Sequence, residues 1–231
     1  MSQTPESQFL LTTTMETDLP PSPTTVTTKP PPTILNRLIN LDTNWSLHLH
    51  TIFQPFPRAI LKALELSGDG RFWFPIPIAL FLSPISPLSP LRHIVIGLFL
   101  GSLLDLLLVG LIKFLVRRPR PVYNKDMNLT VAVDHWSFPS GHSSRVCFIS
   151  SFISLSIEKV REGFVDLDSD GKVLKYVVSA VFMWSIFTSI SRVLLGRHFV
   201  FDVVAGAFLG VIEAIFVFYF MKYYWVVKNE L

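Results

Sequence analysis

A chain of 231 residues that is half hydrophobic, 16% charged and +0.47 in mean hydropathy has the balance of a polytopic membrane protein, not of a soluble enzyme. A formal charge of only +3, with no extended basic face outside the membrane-edge loops, excludes a nucleic-acid binder. The single cysteine, Cys147, excludes an internal disulfide or a thiolate metal cluster and reads as helix packing.

Residues 1–33 carry ten Thr and seven Pro and are expected to be a disordered tail. Glu6, Glu16 and Asp18 precede the first basic residue, Lys29, which disfavours a transit peptide, and no signal peptide is visible. Residues 34–67 change character. Ile34, Leu35, Leu38 and Ile39 share one helical face, and Trp45, Leu49, Ile52 and Phe53 form a second stripe. Pro55 and Pro57 interrupt, then Ile60, Leu61 and Leu64 make a third stripe that ends at Gly68-Asp69-Gly70. These are predicted to be amphipathic helices at the interface or on the bundle, with His48 and His50 structural.

The remainder, 68–231, is predicted to be a transmembrane domain. Residues 72–90 are apolar but hold five prolines, so they predict an irregular crossing. Residues 94–116 are the cleanest span, with Asp105 as a buried packing polar group. Ser143–Ile157 is short and Ser-rich, plausible only inside a bundle. Residues 176–195 and 203–226 are further spans, the last ending in the interfacial Tyr223-Tyr224-Trp225. The fold class is therefore all-α, a polytopic transmembrane bundle of five to six helices. The loop 158–173 contains Asp166-Leu-Asp168-Ser-Asp170-Gly171, which mimics the start of a calcium loop. The twelfth position is Val177 instead of a bidentate Glu, so it reads as a solvated acidic loop.

Three polar stretches interrupt the apolar ones: Lys113 to Pro121, Phe138 to Ser143, and Ser191 to Asp202. Following the spans in turn brings all three to one membrane face. Lys113, Arg117, Arg118, Arg120, Lys125, Arg145, Arg192 and Arg197 lie in or beside them, so an anionic ligand is expected. Pro139 suits a helix start, Ser140 an N-cap, and Gly141 close backbone approach; the amides of Gly141, His142 and Ser143 would face outward as an anion site. His142 could exchange a proton with that anion. His198 and Asp202 are four apart on one helical face, so the carboxylate could hold one ring nitrogen and leave the other as a nucleophile. Gly196 lets the chain turn between Arg192 and His198, and Pro119 should end the helix before Arg120. Cations, helix-start amides and two histidines around one point suit phosphoryl transfer.

These stretches resemble the three signature motifs of the type 2 phosphatidate phosphatase superfamily, the lipid phosphate phosphatases: K-x6-RP, PSGH and SR-x5-H-x3-D. Here they read Lys113…Arg120-Pro121, Pro139-Ser140-Gly141-His142 and Ser191-Arg192…His198…Asp202. Leu64-Glu65-Leu66-Ser67-Gly68, Asp105 to Val109 and Arg117-Arg118 look most like the polyisoprenoid (presqualene) diphosphate phosphatase branch. The resemblance implies that His198 attacks phosphorus, Asp202 orients it and His142 protonates the leaving oxygen. Lys113, Arg120, Ser140, Gly141 and Arg192 would bind phosphate oxygens, with no metal and no cofactor. It implies an integral multi-pass membrane enzyme, expected in the endoplasmic reticulum, that hydrolyses isoprenoid diphosphates or lipid phosphates such as phosphatidate. Its partners would be a lipid phosphate substrate and membrane lipids, without nucleic acid. A lipid phosphotransferase and a non-catalytic scaffold of the same superfamily are the alternatives.

Overall fold

The structure is a computed structural model and describes residues 33–83, 89–123, 135–163 and 171–230. The Thr/Pro-rich segment up to residue 32, Lys125 and the acidic residues Asp166, Asp168 and Asp170 lie outside the described residues. The described residues form nine helices: α1 (Ile34–Ile52), α2 (Arg58–Ser67), α3 (Gly70–Trp73), α4 (Pro75–Leu82), α5 (Ser89–Val116), α6 (Gly141–Leu155), α7 (Ile157–Gly163), α8 (Lys172–Leu194) and α9 (Val200–Glu230). Three of them contain stretches long and apolar enough to cross a bilayer: Leu91–Val116, Lys172–Leu194 and Val200–Tyr224, of 26, 23 and 25 residues. The stretch expected to be irregular begins as α3 and α4, of four and eight residues, with Pro75 opening α4 where a missing N–H costs nothing. The protein is thus an all-α transmembrane bundle, as expected.

α6 is the axis of this bundle. It has only 15 residues, too few to cross unaided, and it is enclosed by α5, α8 and α9. Phe148, Ile149 and Phe152 of α6 join Ile94 and Leu98 of α5 and Ala214, Val217 and Met221 of α9 in one core. Lipid tails are as apolar as leucine, so helices in a membrane associate chiefly through close packing. The sequence provides for this on both flanks. Gly97 and Gly101 of α5 lie against the rings of Phe152 and Phe148, and a Cβ at either position would overlap them. Gly206 and Gly210 of α9 lie against the backbone carbonyls of Ser140 and Ser144. The buried Ser143 of α6 finds partners across helices: its Oγ donates to the Val203 carbonyl at 2.9 Å and lies 3.0 Å from Ser189 Oγ. Asp105 is buried as expected, paired with Arg145 at 3.1 Å.

α1 is amphipathic, as expected, and packs on the bundle through its polar face. Its apolar stripe points outward, with Trp45 61% and Ile52 54% exposed, while the buried residues are Asp42, Ser46 and His50 at i, i+4 and i+8. The reason is the solvent: beside acyl chains an apolar face needs no cover, so the polar face seeks protein. Thr33, assigned above to the tail, caps this helix by accepting from Asn36 N at 3.3 Å.

The backbone-to-backbone seat of α9 on α6 leads to the first expected outcome. Gly210→Ala should lower the thermal midpoint in detergent by an amount equivalent to about 2 kcal/mol, because the Ser144 carbonyl cannot retreat as a side chain could. Gly110→Ala, where a Cβ meets nothing within 4 Å, should leave it unchanged or slightly raised. Equal midpoints for the two variants would contradict this packing.

Candidate active site

Four helix ends converge: the C-termini of α5 and α8 and the N-termini of α6 and α9. α5 stops at Val116 because Arg117 adopts a left-handed φ of 50°, its N–H closing on the Lys113 carbonyl at 3.0 Å. The helix thus ends before Pro119, as expected. The strap that follows is stitched to the segment preceding α6. Pro119 pairs with Trp136, Ser137 N donates to the Arg118 carbonyl at 2.8 Å, and Ser137 Oγ donates to the Pro119 carbonyl at 3.0 Å. Ser140 then caps α6, its Oγ 3.5 Å from Ser143 N, and its own N–H donates to the Asp202 carbonyl at 2.9 Å. Gly196 turns the chain after α8 with φ 71°, a region only glycine enters freely, and any Cβ there would strike the Tyr123 ring.

His198 is the centre of this arrangement, and it is 1% exposed. Its Nδ1 lies 2.8 Å from the Ser137 carbonyl. A carbonyl only accepts, so in the neutral ring Nδ1 carries the proton and Nε2 carries the lone pair. Nε2 lies 3.4 Å from Arg120 Nη1, which also donates to the Arg197 carbonyl at 2.8 Å. Burial, then the charges of Arg120, Arg192 and Lys113, hold the His198 imidazole well below its ordinary value. Because the folded value is lowered, the neutral ring persists at neutral pH and is lost only as pH falls below the usual histidine range.

Asp202 does not hold the ring nitrogen, as the i, i+4 spacing suggested. Its Oδ2 is 3.7 Å from His198 Nδ1, beyond hydrogen-bond reach, and accepts instead from Phe199 N at 2.9 Å. Its Oδ1 accepts from Arg118 Nη1 at 2.7 Å. Arg118 Nη2 reaches Asp42 of α1 at 2.7 Å, and its guanidinium lies 4.1 Å above the Phe199 ring. Asp42 and Ser46 then accept from Phe201 N and Val200 N at 3.0 and 2.9 Å. Three donors at the start of α9, from Phe199, Val200 and Phe201, are therefore satisfied by carboxylates and a hydroxyl, two of these groups from α1, 154 and 159 residues away in the chain.

The other candidates are brought to the same point. Lys113 is buried at the end of α5. His142 stands in the first turn of α6 with its Nε2 buried and without a hydrogen-bond partner among the described residues, in electrostatic reach of Arg192, His198 and Lys113. Gly68, between α2 and α3, backs this ring. Arg192 is fully buried and ion-paired with Glu65 of α2 at 2.6 Å, and Arg197 Nε is 3.2 Å from the same carboxylate oxygen. His50 is structural, as expected: its Nδ1 meets the Leu194 carbonyl at 2.7 Å and its ring stacks on Tyr123. Burial and the nearby Asp42 and Asp202 carboxylates push the Tyr123 phenol up to about 12, so it stays protonated. Sequence reasoning missed Ser137, Asp42, Ser46 and the pairing partners of Glu65. The only available signal was the polar i, i+4, i+8 stripe of α1.

The cap on α9 can be tested directly. Asp42→Ala leaves Phe201 N and one arm of Arg118 without partners, and should cost roughly 3 kcal/mol of stability with a marked loss of kcat. Ser46→Ala removes one cap bond and should cost about 1 kcal/mol. Chemical unfolding and steady-state rates of both variants check this order; a Ser46→Ala effect equal to that of Asp42→Ala would contradict it.

The chain is similar to known proteins in sequence and fold. Residues 94–225 match the PAP2 superfamily. The chain is 40% identical over 216 residues to a protein of Arabidopsis thaliana described as a probable lipid phosphate phosphatase beta, covering 88% of this chain and 96% of that one. It is 27% identical over 161 residues to phosphatidylglycerophosphatase B of Bacillus subtilis (strain 168), covering 70% and 73%. Among solved structures it is similar to a transmembrane PAP2-type phosphatidylglycerolphosphate phosphatase from Bacillus subtilis, with a TM-score of 0.61, 25% identity, and 81% and 87% of the two chains covered. It is also similar to LpxE from Aquifex aeolicus, with a TM-score of 0.55, 25% identity, and 77% and 94% covered. With these matches and one end of its bundle built from K-x6-RP, PSGH and SR-x5-H-x3-D, the chain belongs to the PAP2 superfamily.

Proposed function

We propose that this membrane lipid phosphate phosphatase works through a phosphohistidine on His198, and that isoprenoid diphosphates are its preferred substrates with phosphatidate a weaker one. The observation that carries the mechanism is the Ser137 carbonyl on Nδ1, which leaves a neutral Nε2 facing Arg120. In the first step Nε2 forms the P–N bond as the bond from phosphorus to the leaving oxygen breaks, and His142 delivers the proton to that oxygen. In the second step water, giving its proton to His142, attacks phosphorus; the P–N bond breaks and phosphate leaves. Lys113, Arg120, Arg192 and the amides at the start of α6 neutralise the equatorial oxygens. Asp202 acts through the loop, fixing Phe199 N and Arg118 rather than the ring itself. The three cations supply the charge that a metal supplies elsewhere, so activity is proposed to survive EDTA.

For the substrate, a site at one end of the bundle lets a lipid keep its chain in the bilayer while its head enters sideways. The relatives named above are described as phosphatases of lipid phosphates. The diphosphate preference rests on the resemblance of Leu64 to Gly68 and on excess cation, and the structure narrows the latter. Arg118 is engaged by two carboxylates, and Arg117 donates from Nε to the Phe114 carbonyl at 2.9 Å. Arg197, buried beside Arg192 and sharing the Glu65 carboxylate with it, is proposed as the flanking cation that meets a second phosphate. The compartment is proposed to be the endoplasmic reticulum.

Two outcomes test this. Enzyme quenched in alkaline detergent, where a P–N bond survives, should hold a phosphoenzyme in the parent and none in His198→Ala. His142→Ala should lose less activity on an aryl phosphate, whose leaving group needs little protonation, than on an alkyl phosphate. Equal loss on both substrates would refute the division of roles. Second, kcat/KM for farnesyl diphosphate should exceed that for phosphatidate in the same detergent, and Arg197→Gln should narrow the ratio. A preference for phosphatidate would leave a general lipid phosphatase.

A further inference from the structure

Glu65 is an odd residue to find in an anion site. It lies outside the three motif stretches, on α2, and points a carboxylate at the two guanidiniums closest to the end of α8. Its Oε1 is 2.6 Å from Arg192 Nη1 and 3.2 Å from Arg197 Nε. Burial raises its affinity for a proton, but Arg192 and Arg197 outweigh this and leave it below the usual carboxylate value, so it is ionised at neutral pH. Arg192 is fully buried, and its Nε and Nη2 have no hydrogen-bond partner among the described residues. A buried guanidinium with unused donors, ion-paired to Glu65 and in electrostatic reach of Asp69, is half of a binding site. Its charge is balanced by a group that is itself 21% exposed and can move.

We infer that Glu65 is the resident counter-ion of the phosphate pocket: it neutralises Arg192 and Arg197 in the empty site, gives them up to the entering phosphoryl group, and takes them back as inorganic phosphate departs. The inference deepens the proposed function and rests on its reading of Arg192 as a phosphate ligand. The physical reason is that two anions compete for one pair of cations. Without Glu65 the empty site would hold unbalanced buried charge, costly by itself and avid for any phosphate. With it, the empty and loaded states are closer in energy, and product release is not trapped. Glu65 thereby also weights the site toward ligands of higher charge, which displace it more readily.

The test uses full-length enzyme, an aryl phosphate as reporter substrate and inorganic phosphate as competitive inhibitor. Glu65→Gln keeps the shape and removes the charge. It should lower the inhibition constant for phosphate by about tenfold, the scale of one charge lost from a partly buried pair, and lower kcat through slower release. Glu65→Asp should fall between Gln and the parent. Glu162→Gln, which removes an exposed charge on α7, should change nothing. An inhibition constant that is unchanged or raised in Glu65→Gln would overturn the inference, since a residue that merely orders Arg192 would weaken phosphate when removed. Arg192→Gln separates the two readings. If it leaves phosphate inhibition intact, the assignment of Arg192 fails. If it abolishes inhibition while Glu65→Gln fails to tighten it, only the role of Glu65 fails. Should Glu65→Gln not accumulate as folded protein, purification in millimolar phosphate should restore the folded peak on size exclusion where chloride does not; failure of that rescue counts equally against the inference.

Discussion

Buried positive charge is the constraint on which this structure depends. Lys113, Arg145, Arg192 and Arg197 are all buried in a chain whose surroundings are acyl chains and other helices. An unpaired ion there costs several kcal/mol, more than any one packing contact returns. Each therefore needs an anionic partner or a cage of dipoles, and partners lie far away in sequence. Asp105 serves Arg145, and Glu65 serves Arg192 and Arg197. Arg118, nearly buried, is held by Asp42 and Asp202 together. The fold can be read as the set of helix placements that brings these acids to those bases.

That view explains why α1 and α2 belong to the working protein although the family match begins at residue 94. α1 supplies two of the groups that close the N-terminus of α9, and α2 supplies the carboxylate that balances the far wall. α1 carries its chemistry on the buried face and its apolar stripe outside, whereas α2 buries Leu61 and offers Glu65 from a part-exposed position. A partial negative charge at the mouth of α9 also offsets the helix dipole, which would otherwise add to the cationic field around His198. The site thus gathers buried positive charge with enough negative charge beside it to offset part of that charge.

The glycines set the second dimension of the design. Gly206 and Gly210 bring the backbone of α9 onto the backbone of α6, and this fixes the distance between the loop bearing His198 and the cap bearing Ser140. The hydrogen bond from Ser140 N to the Asp202 carbonyl is possible only at that separation. The geometry of the candidate site, built on two different helices, is thereby tied to packing at two small residues a turn or two away.

The sequence by itself determined much. The apolar runs, the three interrupting polar stretches and their alternation placed Lys113, Arg120, Ser140, His142, Arg192 and His198 at one end of a helical bundle, because chain direction reverses at each span. Local chemistry also fixed the caps: Ser140 before Gly141, Gly196 at a positive φ, the stop ahead of Pro119. What only the tertiary structure decided is how the charges pair. Spacing put Asp202 one turn from His198, yet the carboxylate turned to Phe199 N and Arg118, because the Ser137 carbonyl, delivered by the stitched strap, had already filled the ring nitrogen. The stripe of Asp42, Ser46 and His50 was visible in the sequence, but its direction was not. Which face of a helix is buried depends on whether water or lipid lies outside, and a periodicity looks the same in either solvent.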